Sequence, residues 1–132
     1  MSRKAAAKTV KRILVVEDNE MNMKLFNDLL EVTGYEVMQS RNGYDAMEQA
    51  KKQKPDLVLM DIQLPEVTGT EVIKWFKADP DLKDIPVIAV TAHAMKEEER
   101  RIRESGCEYY MTKPISLPHF LETVAKFLKF PD

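Results

Sequence analysis

Five side chains able to bind a cation and a phosphoryl group follow apolar runs in this sequence. They are three carboxylates, one hydroxyl and one ammonium group: Glu17, Asp18, Asp61, Thr91 and Lys113. One such residue alone is weak evidence, because acidic residues after strands commonly cap helices or form turns. A threonine at the end of a strand and a lysine before a proline are equally common. The five become informative only if the fold brings them to one place.

Together these side chains suit the chemistry of an acyl phosphate. Clustered carboxylates raise one another's pKa unless a cation lies among them. Mg²⁺ meets that need, since it takes one or two carboxylates, keeps water ligands and bridges to phosphate oxygens. Asp61 is the predicted nucleophile, with Asp18 as the main metal ligand and Glu17 reaching the metal through water. Lys113 would neutralise charge on the phosphoryl group, and Thr91 would hydrogen-bond one of its oxygens.

The apolar runs before these residues have the length and composition of β-strands. Residues 13–16, 57–60 and 87–90 are apolar throughout and rich in β-branched side chains. Continuous apolarity is typical of strands buried on both faces, as in a parallel sheet. Residues 35–38 and 109–111 are less apolar and predict two further strands nearer the edges of the sheet.

Helical patterns separate the five predicted strands. The first helix ends at Gly34, as is common for a glycine in that position. The fourth, at residues 95–103, is highly charged and predicts a narrow buried face. The predicted inward positions of the first, second, third and fifth helices are, in order, Asn22, Phe26, Leu29, Leu30 and Thr33; Tyr44, Met47 and Ala50; Val72, Ile73 and Phe76; Leu117, Phe120, Leu121, Val124 and Leu128.

Strand and helix alternate five times, which predicts an α/β domain with a parallel sheet and right-handed crossovers. In open sheets of this kind, ligands bind at the carboxyl ends of the strands, near the point where the strand order reverses. All five chemically competent residues follow strands at that end. The sequence therefore predicts that they meet at a single site.

Composition limits the other classes of function. The chain has 132 residues and a formal net charge of −2, which gives no basic face for direct binding of nucleic acid. Its one cysteine, Cys107, excludes an internal disulfide, and His93 and His119 lack the spacing of zinc ligands. We expect a flexible tail at residues 1–10, one domain at residues 11–130 and no output domain. With no long apolar stretch, we also expect a cytoplasmic protein without membrane insertion.

At these residues the sequence resembles the response-regulator receiver family over residues 11–128. The matching segments are residues 15–19 (VVEDN), 59–65 (LMDIQLP), 90–92 (VTA) and 112–114 (TKP). Three segments are similar, more narrowly, to the single-domain cell-division response regulators of alphaproteobacteria. They are residues 22–26 (NMKLF), 60–66 (MDIQLPE) and 113–116 (KPIS).

The resemblance implies a flavodoxin-like (βα)5 fold, a three-layer sandwich whose parallel sheet has the strand order 2-1-3-4-5. It implies Mg²⁺, or Mn²⁺ in its place, with the backbone carbonyl of Gln63 as a further ligand. It also implies a cis peptide bond between Lys113 and Pro114, which proline makes accessible. The chain departs from the family at Glu17, where an aspartate is more usual, so the longer side chain alters the expected metal geometry.

The resemblance also implies a switch. Thr91 would move toward the phosphate, while Tyr110, three residues before Lys113, would swing inward. These movements would reshape the face formed by the fourth helix, the fifth strand and the fifth helix. The residues expected on or near that face are His93, Ala94, Met95, Arg101, Tyr110 and Ile115.

A protein of this family is expected to be a phosphoacceptor that assists only its own phosphorylation and dephosphorylation. Its expected partners are histidine kinases or phosphatases and histidine phosphotransfer or adaptor proteins, in cell-cycle and cell-division control. Kinase partners would recruit it to the cell poles. The alternative is a phosphoryl shuttle to a histidine phosphotransfer protein. An aspartate-dependent phosphatase is disfavoured because Gln63 stands where such enzymes carry a second aspartate, and no glycine-rich loop follows the first strand to bind a nucleotide.

Overall fold

The computed structural model describes residues 10–92 and 95–128, in which five strands alternate with five helices. The strands are β1 (Arg12–Val16), β2 (Glu36–Ser40), β3 (Leu57–Asp61), β4 (Val87–Thr91) and β5 (Tyr109–Thr112). The helices are α1 (Glu20–Val32), α2 (Gly43–Lys52), α3 (Gly69–Ala78), α4 (Lys96–Glu104) and α5 (Leu117–Leu128). The tail predicted at residues 1–10 lies, apart from Val10, outside the described residues.

The five strands form one parallel sheet in the order β2-β1-β3-β4-β5. This is the expected flavodoxin-like order, so the predicted fold class is confirmed. Every residue of β3 and β4 is buried, as is every residue of β1 except Arg12. The two less apolar strands, β2 and β5, are the edges. The strand order reverses between β1 and β3: the chain passes from β1 to β2 on one side of this pair and from β3 to β4 on the other. The carboxyl ends of β1 and β3 therefore lie side by side at the reversal.

Alternate strand residues enter two separate hydrophobic cores on opposite faces of the sheet. Leu14 packs in the core that includes α2, α3 and α4, whereas its neighbour Ile13 packs in the core that includes α1 and α5. In the second core the rings of Phe26 and Phe120 lie 5.3 Å apart and join α1 to α5. Both faces of the inner strands are therefore covered, which explains their continuous apolarity.

Side-chain caps fix the starts of three helices. The side chain of Asn19 accepts from the backbone N–H of Asn22 at the start of α1, and Asn42 and Thr68 cap α2 and α3 in the same way. Each such cap stabilises a helix by about 1 kcal/mol. By contrast, Met95 at the start of α4 supplies no side-chain cap. The helix expected to respond to phosphorylation therefore has the least anchored amino terminus of these four.

The buried face of α2 differs in part from the predicted one. The predicted Ala50 is buried and Met47 is half-buried, but Gly43 and Ala46 are buried as well, and Tyr44 is 57% exposed with its ring tilted against Trp75. A Cβ atom on Gly43 would lie 2.4 Å from Cγ2 of Val72, so α2 approaches α3 more closely than larger side chains allow. Helix–helix proximity, rather than hydrophobicity, selects the inward residues here.

The first residue of α3 touches the backbone at the end of β3. A Cβ atom on Gly69 would lie 2.3 Å from the carbonyl oxygen of Asp61 and 2.8 Å from Cα of Ile62. The backbone N–H of Gly69 donates to the carbonyl of Ile62 at 2.9 Å. Since backbone atoms cannot give way as flexible side chains do, this contact fixes the residue that ends β3.

We expect Gly69→Ala to lower the free energy of unfolding by about 1–3 kcal/mol, the usual cost of overpacking a tight contact. The added methyl group must displace either α3 or the end of β3. Urea denaturation measures the loss. The matched control is Lys74→Ala, at an exposed position of the same helix, where a change of less than about 0.5 kcal/mol is expected. Equal losses in the two variants would contradict the proposed backbone clash.

Candidate functional site

Three carboxylates meet at the carboxyl end of the sheet. Glu17 and Asp18 follow β1, and Asp61 is the last residue of β3, which pairs with β1. Each offers one oxygen atom, and these oxygens all lie within 4.8 Å of one another. Glu17 and Asp61 are buried, at 1% and 3% exposure, whereas Asp18 is exposed. Two carboxylates of the cluster are therefore buried, and the third lies on the side that is open to solvent.

The ammonium group of Lys113, in the loop after β5, lies against this cluster. The Nζ atom of Lys113 is 3.5 Å from Oε1 of Glu17 and 4.0 Å from Oδ1 of Asp61. The backbone N–H of Lys113 donates to the carbonyl of Thr91 at 2.7 Å, which anchors the residue beyond β5 to the end of β4. The peptide bond between Lys113 and Pro114 is cis, so that expectation is confirmed.

The donor set fits a small, hard cation. One oxygen of Glu17 accepts from the backbone N–H of Asn19 at 3.2 Å and from Nδ2 of Asn22 at 3.5 Å. Its other oxygen, Oε1, is buried and accepts no hydrogen bond from the described residues. The ammonium group of Lys113, 3.5 Å away, compensates this oxygen in part, but one ammonium group facing three carboxylates leaves negative charge that a further cation would balance. With oxygen ligands only, the cluster suits Mg²⁺ or Mn²⁺ rather than a softer metal.

The electrostatics of Asp61 show why a cation is needed. Burial raises the pKa of Asp61, and the negative charge of Glu17 raises it further. Lys113 and the backbone N–H of Gln63 oppose these effects, yet the pKa still rises from 3.8 to about 7. Without a divalent cation, Asp61 is therefore partly protonated at neutral pH, and a protonated carboxyl group is a poorer nucleophile than a carboxylate.

Thr91 ends β4 beside Asp61. Gln63, in the loop after β3, links the two residues. Val90 is the register partner of Asp61, and Thr91 is fully buried. The backbone N–H of Gln63 donates to Oδ1 of Asp61 at 3.1 Å, while its side-chain Nε2 donates to Oγ1 of Thr91 at 3.2 Å. All five chemically competent residues predicted from the sequence are therefore close together.

The side chain of Gln63 was not predicted to take part, because only its backbone carbonyl was assigned a role. Its amide oxygen accepts from the backbone N–H of Ala92 at 3.2 Å, and Nε2 also donates to Glu98 on α4 at 3.1 Å. Gln63 and Glu98 are 35 residues apart. No local pattern could have revealed this pair, although both side chains are polar and flank the predicted site.

Tyr110 connects the edge strand β5 to α4. Its hydroxyl donates to the carboxylate of Glu99, which lowers the pKa of that carboxyl, and the guanidinium carbon of Arg103 lies 5.9 Å from its ring centroid. The ring is half-buried and packs against the core on the α2–α4 side. In this conformation, the predicted switch residue is held to α4 by its polar end.

The predicted partner face divides between two surfaces. Met95 is 71% exposed at the start of α4, and Arg101 lines an open cleft of about 710 Å³ between α4 and the loop after β3. Ile115 instead lines a groove between α1 and α5. His93 and Ala94, which were also predicted on this face, lie outside the described residues.

The groove beside Lys113 is a feature that the sequence reasoning missed. It has a volume of about 440 Å³ and is lined by Asn22, Leu25, Phe26, Lys113, Pro114, Ile115 and Leu117. Leu25 and Leu117 are 46% and 39% exposed although they are large and apolar. Leu25 falls outside the buried stripe of α1, which was the available signal. Adjacent exposed apolar side chains of this kind suit contact with another protein.

Comparison with known proteins gives a consistent result. The response regulator receiver domain family matches residues 13–125 of this chain. Curated relatives from Brucella anthropi and Brucella ovis carry the name "Polar-differentiation response regulator DivK". They are 59% and 58% identical to this chain over 118 residues, which are 89% of this chain and 96% of each relative.

Solved structures agree. The receiver domain of a signal transduction histidine kinase from Syntrophus aciditrophicus matches with a TM-score of 0.87 and 32% identity, over 91% of each chain. The receiver domain of a sensor histidine kinase from Pseudomonas aeruginosa matches with a TM-score of 0.85 and 28% identity, over 91% of this chain and 98% of that one. That second structure has a magnesium ion coordinated in its active-site cleft. Among the described residues, no helix combines the length and apolarity needed to cross a membrane.

Proposed function

This chain belongs to the response regulator receiver domain family, and from that premise we propose that Asp61 accepts a phosphoryl group in a two-component phosphorelay. One observation carries the proposal. A buried aspartate ends β3 with two further carboxylates within 4.8 Å and the ammonium group of Lys113 at 4.0 Å. Such a site favours a covalent aspartyl phosphate, because the charge of the product is balanced where it forms.

The phosphoryl donor is a phosphohistidine on a kinase or a phosphotransfer protein. An oxygen of Asp61 forms the new P–O bond, while the P–N bond breaks and its electron pair returns to the imidazole nitrogen. Lys113 balances charge on the phosphoryl oxygens, and the hydroxyl of Thr91 donates a hydrogen bond to one of them.

The carboxylates of Glu17, Asp18 and Asp61 would hold the metal, with the backbone carbonyl of Gln63 as a further ligand. When bound, Mg²⁺ or Mn²⁺ supplies positive charge that keeps Asp61 ionised and offsets the charge of the incoming group. Three carboxylates that face one ammonium group, with no hydrogen bond to Oε1 of Glu17 among the described residues, support this assignment.

Phosphorylation would act on the α4–β5–α5 face, formed by those three elements and the residues that lead into α4. A phosphoryl group adds about −1.5 to −2 charge next to Thr91. Movement of Thr91 would disturb its contact with Gln63, and through it the start of α4, which has no side-chain cap. The bond between Tyr110 and Glu99 would then have to be remade. Histidine kinases or adaptor proteins would distinguish the two arrangements.

The names of the relatives support a cellular role. Because they are named polar-differentiation response regulators, we propose that this protein acts in cell-cycle and cell-division control. It would be a cytoplasmic signalling protein, recruited to cell poles by kinase partners. Its only catalytic contribution would be to its own phosphorylation and dephosphorylation.

Incubation with acetyl phosphate and Mg²⁺, followed by intact-mass measurement, tests the proposal. We expect one phosphoryl group per molecule, and none when EDTA removes the metal. Hydroxylamine should release the group, because it cleaves acyl phosphates. A chain that gains no mass, or that keeps the added mass after hydroxylamine treatment, would contradict an aspartyl phosphate.

A second candidate, a phosphoryl shuttle, is favoured by the apolar groove beside Lys113. A groove of this kind suits a protein that brings or removes the phosphoryl group directly. In the shuttle, phosphate would leave Asp61 for a histidine phosphotransfer protein rather than being lost to water. Following labelled phosphate through a mixture of kinase, this protein and a phosphotransfer protein separates the two candidates.

We expect Leu25→Glu to slow transfer from a phosphohistidine protein by about tenfold, since a charge replaces an apolar contact at a protein interface. Uptake from acetyl phosphate should be unchanged, because Leu25 lines the groove and lies outside the carboxylate cluster. The matched control is Val32→Glu, an 85% exposed position in the last turn of the same helix. Equal slowing of both donors, or of neither, would count against the groove as the docking site.

A further inference from the structure

The side-chain amide of Gln63 connects three parts of the molecule that must act together. It reaches Thr91 and Ala92 at the end of β4 and Glu98 in the first turns of α4, with distances of 3.1–3.2 Å. Its backbone N–H contacts Asp61 as well. A single residue therefore links the phosphoacceptor, the hydroxyl that would bind the phosphate and the helix expected to move.

Glu98 determines how this amide is oriented. A carboxylate can only accept a hydrogen bond, and the backbone N–H of Ala92 can only donate one. Together they require that Nε2 of Gln63 faces Glu98 and that Oε1 faces Ala92. Rotating the amide by half a turn would bring oxygen against oxygen and nitrogen against N–H. Without Glu98, the N–H of Ala92 would still favour this orientation, but Nε2 would lose its charged acceptor and the amide would be held less firmly.

The orientation matters because it engages two groups beside Asp61. The backbone N–H of Ala92 donates to Gln63, and Oγ1 of Thr91 accepts from Nε2 of the same amide, which fixes the position of the hydroxyl. A phosphoryl group on Asp61 would compete for the Ala92 N–H, and any movement of Thr91 toward it would break the contact with Nε2. The more firmly Gln63 is held, the less favourable these changes become.

Glu98 is well suited to hold it. Its side chain is half-buried, and it has no ion pair within 4.0 Å among the described residues, unlike Glu97 and Glu99 on either side. Its carboxylate therefore acts as an acceptor for Gln63 rather than as half of a salt bridge. A hydrogen bond to a charged group is stronger than one between neutral groups, even where it is partly exposed.

We propose that Glu98 is a positioning residue which, through Gln63, holds Thr91 and Ala92 in the resting arrangement and so limits the rate of phosphoryl uptake at Asp61. This inference rests on the proposed function and adds a determinant of its rate. Among the described residues, the Glu98 side chain hydrogen-bonds to the side chain of Gln63 and to none of the three carboxylates that would hold the metal. It acts only through the amide that it orients.

The test compares rate constants for uptake from acetyl phosphate at saturating Mg²⁺, measured by intact mass. Glu98→Ala should react about threefold to tenfold faster than wild type, the factor expected for one partly exposed charge-assisted hydrogen bond. Glu98→Gln should stay within about twofold of wild type, because its amide oxygen can still accept from Gln63. Glu97→Ala, which removes the same charge one residue earlier, should also stay within about twofold.

A double-mutant cycle supplies the decisive comparison. In a Gln63→Ala background, adding Glu98→Ala should change the rate no further, since the connection is already lost. An independent readout is the ¹⁵N spectrum of the unphosphorylated protein. There, the side-chain amide of Gln63 and the backbone amide of Ala92 should shift in Glu98→Ala and return toward wild type in Glu98→Gln.

Three results would overturn the inference: Glu98→Ala that is no faster than wild type, Glu98→Gln that is as fast as Glu98→Ala, or an effect that persists without Gln63. The second would assign the effect to charge repulsion. Wild-type protein that gains no phosphoryl group would instead refute the proposed function. In that case unchanged Gln63 and Ala92 resonances in Glu98→Ala would separately refute the positioning role.

Discussion

An Asp61→Asn protein is expected to gain no phosphoryl group from acetyl phosphate and Mg²⁺ while keeping its fold. The carboxamide matches the carboxylate in size but lacks the nucleophilic oxygen, so the covalent product cannot form. Intact mass measures the loss, which should be complete rather than partial. Any phosphoryl group that still adds, and that hydroxylamine removes, would show that a different carboxylate is the acceptor.

The same substitution should stabilise the metal-free protein at high pH. The pKa of Asp61 rises from 3.8 to about 7 in the folded state, chiefly through burial and then through Glu17. Between these values the folded protein binds a proton that the unfolded chain has released. Stability of the wild type therefore falls as pH rises from about 4 to about 7, and the loss remains above pH 7.

We expect Asp61→Asn to exceed the wild type in free energy of unfolding by about 1–3 kcal/mol at pH 8 in EDTA, with the difference shrinking toward pH 5. Urea denaturation at the two pH values measures it. Asp84→Asn, a change at an exposed carboxylate in the loop before β4, should leave the wild-type pH dependence in place. If the free energy of unfolding depends on pH in the same way in Asp61→Asn and wild type, burial of the Asp61 charge does not destabilise the folded protein.

Asp18→Asn is expected to have the largest effect on metal dependence. Asp18 is the exposed member of the cluster, so its substitution should spare the fold while removing one negative charge from the metal site. Loss of a group that only orients a metal ligand typically lowers the affinity for the metal by about 10–100-fold. A direct ligand should cost at least as much, so half-maximal uptake of phosphate should need correspondingly more Mg²⁺.

Titrating Mg²⁺ against the rate of uptake from acetyl phosphate measures this change. High Mg²⁺ should restore much of the rate, because Asp61 and Lys113 are intact. Glu20→Gln is the matched control: Glu20 is also exposed and only two residues away, but its carboxylate pairs with Arg41 at 3.2 Å. An unaltered Mg²⁺ requirement in Asp18→Asn would remove Asp18 from the metal site.

The sheet could be predicted from the sequence because burial on both faces leaves a plain signal. Residues 13–16, 57–60 and 87–90 are apolar throughout, and they form the three inner strands. Residues 35–38 and 109–111 mix polar and apolar side chains, and they form the edges. In each case the composition reflects how many faces of the strand are covered.

The buried faces of the helices were harder to predict. On α1, Met23 is buried although the predicted stripe included its neighbour Asn22. On α2, Gly43 and Ala46 are buried because α3 approaches closely, a distance that no hydrophobic pattern encodes. Small residues look neutral in a sequence, and only the packed structure shows that their size is the reason for their position.

The site divides in the same way. The sequence was enough to predict that five residues lie close together, because parallel strands place their carboxyl ends at one edge. They are Glu17, Asp18, Asp61, Thr91 and Lys113. The contact between Gln63 and Glu98 could not be predicted, because it depends on how α4 lies against the loop after β3. The roles assigned to the five residues, and to Gln63 as a metal ligand, stay predictions that the experiments above address.

The two-sided burial of the inner strands has a consequence for time scales. Backbone amides of β3 are paired on both sides and covered by helices, so they exchange with solvent only when most of the molecule opens. Asp61 is the last residue of that strand, whereas Tyr110 lies on an edge strand and Met95 precedes an uncapped helix. The free energy of local opening is lower at Tyr110 and Met95 than in β3. The residue that would receive the signal is therefore carried by slowly opening backbone, and the residues that would report it by backbone that can rearrange much faster.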